Sequence, residues 1–191
     1  SDKITEVKAA LTAHGFDYEE TEKGISVKGK SVHAMAAPEG ANAILRLSIA
    51  LSEVFDFKPL DFLGKLVQEN ATGENVVGKV MDEQSGELTM NFTDVEITPE
   101  HTKIGVDMRI PVTVDKDELA GKLAAQAANY QLEYKQYDWL NPLYVPVESE
   151  LIQTLLATYR EITGDMTEPM VSGGATFART MQNCVAFGAM F

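Results

Sequence analysis

The spacing of apolar positions changes period several times along the chain, and each change marks an element. Over residues 4–14, Ile4, Val7 and Leu11 recur at helical spacing, with Lys3, Glu6 and Lys8 on the other side and Gly15 placed to stop the helix. Strand-like segments follow over 17–20 and 24–29, the second with Ile25 and Val27 alternating against polar neighbours. Beyond a loop at Ala37-Pro38-Glu39-Gly40, the spacing of Ile44, Leu47, Leu51 and Val54 predicts a helix over 41–55, and a shorter apolar helix is expected over 60–68. Residues 87–97 and 104–114 alternate as strands. Residues 115–128 read as a helix whose start carries Asp115 and Glu118 at capping spacing, and 130–139 alternate as a further strand. Pro142 and Pro146 punctuate a linker; 149–163 form an amphipathic helix ended by Gly164, and 185–187 read as a short buried strand.

Elements in this order predict an α+β fold, a two-layer sandwich of mostly antiparallel sheet and helices. The prolines divide the chain near residue 145, giving parts 1–145 and 146–191. With 191 residues, 45% of them hydrophobic, the chain is long enough for one large core or two small ones. Charge narrows the partners. Sixteen basic against twenty-nine acidic side chains give a net charge of -13, which repels nucleic acid and anionic membrane surfaces. No apolar run approaches the roughly 20 residues that span a bilayer. The single cysteine, Cys184, lies in the apolar run Cys184-Val185-Ala186-Phe187-Gly188; it forms no intrachain disulfide, reads as a buried inert thiol, and fits a reducing, cytoplasmic setting. The chain opens inside a helical pattern and stops at Phe191 directly after a strand-like one, so a piece of a longer protein is expected.

Three segments carry candidate chemistry. In Gly29-Lys30-Ser31-Val32-His33-Ala34, followed by Pro38, Gly40 and Asn42, an imidazole in a shaped loop can donate a hydrogen bond to a developing oxyanion; a solvated loop histidine is the plain alternative. In Gly105-Val106-Asp107-Met108-Arg109-Ile110-Pro111, core-facing Ile104, Val106, Met108 and Ile110 would project Asp107 and Arg109 together from the other face. The guanidinium there suits a carboxylate, or equally an ion pair with Asp107. In Ser172-Gly173-Gly174-Ala175-Thr176-Phe177-Ala178-Arg179, glycines let backbone N–H groups and the Thr176 hydroxyl approach a ligand, or simply make a tight turn. The three histidines, His14, His33 and His101, stand far apart without a His-x-x-x-His pair or cysteine cluster, so no metal site is expected within this chain.

Taken together and in this order, the three segments resemble the zinc aminoacylase and carboxypeptidase superfamily, and within it the carnosinase-like, PepV-type dipeptidases. Gly29 to His33 with Pro38, Gly40, Asn42 and Ala43 looks like the family's lid motif, and Asp107-Met108-Arg109-Ile110-Pro111 like its lid arginine strand. Gly174 to Arg179 with Asn183 to Gly188 looks like its later catalytic-domain loop and strand. The resemblance implies a ferredoxin-like lid over 1–145 and a helix-strand piece of the catalytic domain over 146–191. It further implies a parent enzyme that hydrolyses dipeptides with two zinc ions, whose ligands lie in a missing N-terminal catalytic half and beyond this chain's end. His33 would stabilise the oxyanion, and Arg109, with Gly174 and Thr176, would grip the substrate's C-terminal carboxylate. Asn42 and Arg179 belong to the motifs, Arg179 with either a substrate or a structural role. On this reading the chain alone is inactive; a non-catalytic α+β ligand-binding or association module is the alternative. Ala175 stands where the family commonly carries glycine, which the loop tolerates unless its backbone needs a positive φ.

Overall fold

Helix α1 (Asp2–Ala13) ends as its sequence predicts. Gly15 takes a φ of 69°, the Phe16 N–H donates to the Leu11 carbonyl at 2.9 Å and the Gly15 N–H to that of Thr12 at 3.0 Å, the paired closure of a glycine stop. The computed structural model describes residues 2–188. After α1 come β1 (Tyr18–Thr21), β2 (Gly24–Val27), a 3-10 turn (Ala34–Glu39), α2 (Ala43–Val54), α3 (Lys58–Asp61), a π-helical turn (Phe62–Val67) and α4 (Glu74–Val77). Then follow β3 (Met81–Asp82), β4 (Gly86–Glu87), β5 (Thr89–Ile97), β6 (Thr102–Arg109), α5 (Lys116–Asn129), α6 (Glu150–Thr163) and a last 3-10 turn (Phe177–Thr180). The chain is α+β, and the strands among the described residues form three two-stranded antiparallel ladders: β1 with β2, β3 with β4, and β5 with β6.

The β5–β6 hairpin sets the frame for the site. Thr89 lies opposite Arg109, Met90 opposite Met108, Asn91 opposite Asp107 and Phe92 opposite Val106. Alternation sends Met90 and Phe92, each 2% exposed, into a core with Leu45, Leu63, Val67, Leu88 and Leu119. Thr89, Asn91, Asp107 and Arg109 therefore share the opposite face. A bulge between Phe92 and Asp94 shifts the register, and Gly105 accepts the crowding there, since a Cβ at that position would collide with the Asp94 carboxylate.

Helix α2 lies between that core and a second one built from Val7, Ala10, Leu11, Phe16 and Ala50. The predicted face meets the second core, on which Leu47, Leu51 and Val54 pack, but it is not the most deeply buried side of the helix. Ile44, Leu47, Leu51 and Val54 are half-buried, whereas Leu45, Ser48, Ala50 and Ser52 are buried. Ser48 and Ser52 are small enough to admit Gly64 of the π-helical turn, where any Cβ would strike the Ser48 carbonyl and the Ser52 side chain. A helix covered on both sides, one of them faced with serine, has no single apolar stripe to read.

Other expectations also change. Val106 is 38% exposed, because the core covers Ile104, Met108 and Ile110 but leaves it at the margin. The strand expected over 130–139 joins no ladder. Leu132 and Tyr134 still pack on the first core in alternation, but they lack a neighbouring strand to pair with. Likewise 185–187 form no strand, and Phe187 is exposed, edge-on to Tyr159 at 6.2 Å between ring centroids. Cys184 is half-buried rather than buried.

The chain forms two units, Ser1–Tyr137 and Asp138–Phe191. Both cores belong to the first. In the second, α6 is capped by Ser149, whose hydroxyl accepts the Ile152 N–H at 3.4 Å, and closed by Gly164 at a φ of 71°. Among the described residues of this unit, the buried hydrophobics are Ile152 and Ala178.

Candidate functional site

His33 stands at the head of the first 3-10 turn, in a loop pinned at its base. Lys30 and Ala41 exchange backbone hydrogen bonds of 2.9 and 3.0 Å, and Lys30 Nζ donates to the Glu39 carbonyl at 3.0 Å. Glycine is required at Gly29 and Gly40, since a Cβ on the first would run into the Ala41 carbonyl and on the second into Val32. The exposed imidazole accepts the Met35 N–H on Nδ1 at 3.3 Å. An accepting Nδ1 carries no proton, so the neutral ring bears its proton on Nε2 and can donate from there.

Two side-chain contacts seat this loop on the hairpin. The buried Thr89 hydroxyl donates to the Ala34 carbonyl at 2.9 Å. Asn42 caps α2 by accepting the Ile44 and Leu45 N–H groups at 3.0 and 3.3 Å, while its Nδ2 donates to Asn91 Oδ1 at 3.2 Å and to the Phe92 carbonyl at 2.8 Å. Both oxygen and nitrogen of Asn42 are thus engaged in holding α2 to β5. Because Thr89 pairs with Arg109 and Asn91 with Asp107, the loop of His33 and the arginine share one hairpin face. Arg109 Nη2 meets Asp107 Oδ2 at 2.8 Å, so the ion pair open to the sequence reading is present, and it orients the guanidinium.

Gly174, Thr176 and Arg179 lie in the second unit. The Gly174 N–H donates to Ser172 Oγ at 3.2 Å, closing the loop on itself. Thr176 is half-buried at the head of the second 3-10 turn, where its carbonyl accepts the Arg179 N–H at 3.3 Å. Arg179 Nη2 donates to the Asn141 carbonyl at 2.9 Å, an anchoring contact within the unit. Ala175 is not among the described residues with positive φ, so its methyl strains nothing.

Two features had no sequence signal. Asp82 accepts from Ser85 N and Oγ at 2.6 and 2.8 Å on one oxygen, and from Thr113 N and Oγ1, both at 3.0 Å, on the other; Ser85 Oγ in turn accepts the Val112 N–H at 2.9 Å. Burial pushes the Asp82 carboxyl up, but the hydrogen bonds from Ser85 and Thr113 outweigh it and hold the group below the ordinary carboxylate value. This network fastens the β3–β4 hairpin to the segment after β6. The second feature is a cleft of about 420 Å³ bordered by His14, Phe16, Ser52, Glu53, Lys65 and Gln68, with His14 Nε2 at 2.7 Å from Glu53 Oε1. None of the predicted site residues lines it.

Among the described residues no group of three or more His, Cys, Asp and Glu side chains could hold a metal ion, so they offer no seat for zinc. No helix among them is long and apolar enough to cross a membrane.

Comparison with known proteins settles the family. Residues 23–135, more than half of the chain, match the peptidase dimerisation domain. The chain belongs to that family. The matched span of this peptidase dimerisation domain holds His33, Asn42 and Arg109, and it bears out the family resemblance read from the motifs. A protein of Staphylococcus aureus strain MRSA252 named "putative dipeptidase" is 30% identical over 172 residues, which are 87% of this chain and 37% of that protein. Proteins of the same name from strains MW2 and USA300 are 31% identical over the same length, with the same coverage of each chain. The chain therefore spans little more than a third of the curated relatives it matches.

Proposed function

We propose that this chain is the lid, with an adjoining piece of the catalytic domain, of a cytoplasmic metal-dependent dipeptidase. The observation that carries this reading is the shared hairpin face, where the loop of His33 is fastened to the strand that pairs with the Arg109 strand. A neutral imidazole with its proton on Nε2 is a donor for the oxyanion that develops when a peptide carbonyl is attacked. A guanidinium oriented by Asp107 has the planar fork of donors that suits a substrate's terminal carboxylate. Gly174 and Thr176 hold that same carboxylate end in the complete enzyme. Zinc, bound by residues of the rest of the protein, supplies the Lewis-acid chemistry; the part assigned to this chain is binding, orientation and hydrogen-bond donation. The chain alone has no turnover.

The test compares this chain with a longer form extended at both ends, each assayed for metal content and dipeptide hydrolysis in zinc or manganese. The proposal expects a metal-free, silent short chain and an active long one. Turnover by the short chain, or a long form without dipeptidase activity, overturns it.

A further inference from the structure

Thr89 has a side chain that the roles given to His33 and Arg109 leave unused. It begins β5 and is 8% exposed, one of few buried polar residues, and its hydroxyl donates to the Ala34 carbonyl at 2.9 Å across 55 positions of sequence. Ala34 is the residue after His33, so the bond lies one peptide unit from the histidine. On the partner strand, the residue directly opposite Thr89 is Arg109. A continuous path thus runs from His33 through Ala34 and Thr89 to Arg109, using one peptide link, one buried hydrogen bond and one antiparallel pair. Of the other loop contacts, the Met35 and Ala36 N–H groups donate to His33 within the turn itself, whereas those at Lys30, Ala41 and Asn42 act at its base; none of these joins the turn around His33 to the hairpin as Thr89 does.

We propose that Thr89 is a positioning residue for His33: its hydroxyl holds the Ala34–Met35 peptide, directly after the histidine, at a fixed height above the hairpin, and so sets the spacing between the oxyanion donor and the carboxylate-gripping Arg109. The inference rests on the dipeptidase reading. A buried site is the right place for such a link. Water does not compete there, and a threonine, stiff at χ1, loses little freedom in making the bond. Valine keeps the shape and removes the donor, so the buried hydrogen bond to the Ala34 carbonyl is lost. Serine keeps the donor and removes a methyl.

The experiment is a mutant cycle in the full-length protein. Thr89→Val lowers kcat for dipeptide hydrolysis roughly 10- to 100-fold, as expected when a catalytic group is displaced by a fraction of its reach, with KM changed far less. Thr89→Ser restores most of the loss. In a His33→Ala background, Thr89→Val adds little, because its effect passes through the imidazole. Equal losses in both backgrounds, or wild-type kcat in Thr89→Val, overturn the positioning role. If His33→Ala itself leaves kcat unchanged, it is the dipeptidase reading of His33 that fails. A second readout is independent of activity: amide exchange over 34–40 rises in Thr89→Val while α2 and β6 keep their protection. Unchanged exchange over 34–40 overturns the clamp. Should the valine variant not fold, Thr89→Ala read by the same exchange measurement gives the same two outcomes.

Discussion

The two units carry the same local devices and reach different densities of packing. Each has a helix started by a capping side chain: Asp115 accepts the Glu118 N–H at 2.8 Å ahead of α5, and Ser149 accepts the Ile152 N–H ahead of α6. In the first unit the capped helix delivers Leu119 and Leu123 into a core where Leu63, Leu88 and Val67 are wholly buried. In the second, α6 buries Ile152 while Ile162 is 77% exposed, and Phe177 is 90% exposed beyond it. Caps and helical pattern decide where a helix forms; tertiary burial decides how much stability it contributes.

That contrast can be broken in order of expected size. Leu63→Ala should destabilise the first unit by about 2–5 kcal/mol in a urea titration, because the side chain is fully buried beneath α2 and the hairpin. An effect under about 1 kcal/mol would mean that this core is not the source of stability. Asp82→Ala should cost about 1–3 kcal/mol, since it removes the hydrogen bonds that Ser85 and Thr113 make to a charged carboxylate. Its pH dependence has a definite sign. The folded carboxyl sits below the ordinary value of 3.8, so the unfolded chain binds the proton more readily. The Asp82 contribution is therefore complete above the ordinary value and is lost as pH falls through the lower folded one; the alanine variant should show a flatter acid limb of stability against pH. Asp115→Ala should lower the same transition by about 1 kcal/mol, whereas Ser149→Ala should reduce helix content in the second unit and leave that transition in place. Smallest of all, Ile162→Ser should change stability by less than about 0.5 kcal/mol.

How much of this was legible depended on whether the physics was local. Helix ends were readable because Gly15, Asp115 and Gly164 act on their own neighbours. The Asp115 signal was half right: Asp115 caps, but Glu118 pairs with Lys122 at 2.8 Å. Alternation placed Asp107 and Arg109 on one strand face, and their 2.8 Å contact followed. What stayed hidden was non-local. No spacing rule connects Thr89 to Ala34 or Asn42 to Asn91, and the serine face of α2 is explained only by the approach of Gly64. The missing strands at 130–139 and 185–187 fail for a related reason: alternation reports which side chains face a core, and a ladder also needs a partner.

The central claim is that this hairpin face meets a dipeptide, with Arg109 on its terminal carboxylate. The most direct test pairs Arg109→Ala in the full-length protein with two substrates, a dipeptide and its C-terminal amide. The account predicts that the variant loses roughly ten- to a hundredfold in kcat/KM on the free acid, the range of about 1.5–3 kcal/mol for a hydrogen bond between charged groups, and almost nothing on the amide. Equal losses on both substrates would contradict it.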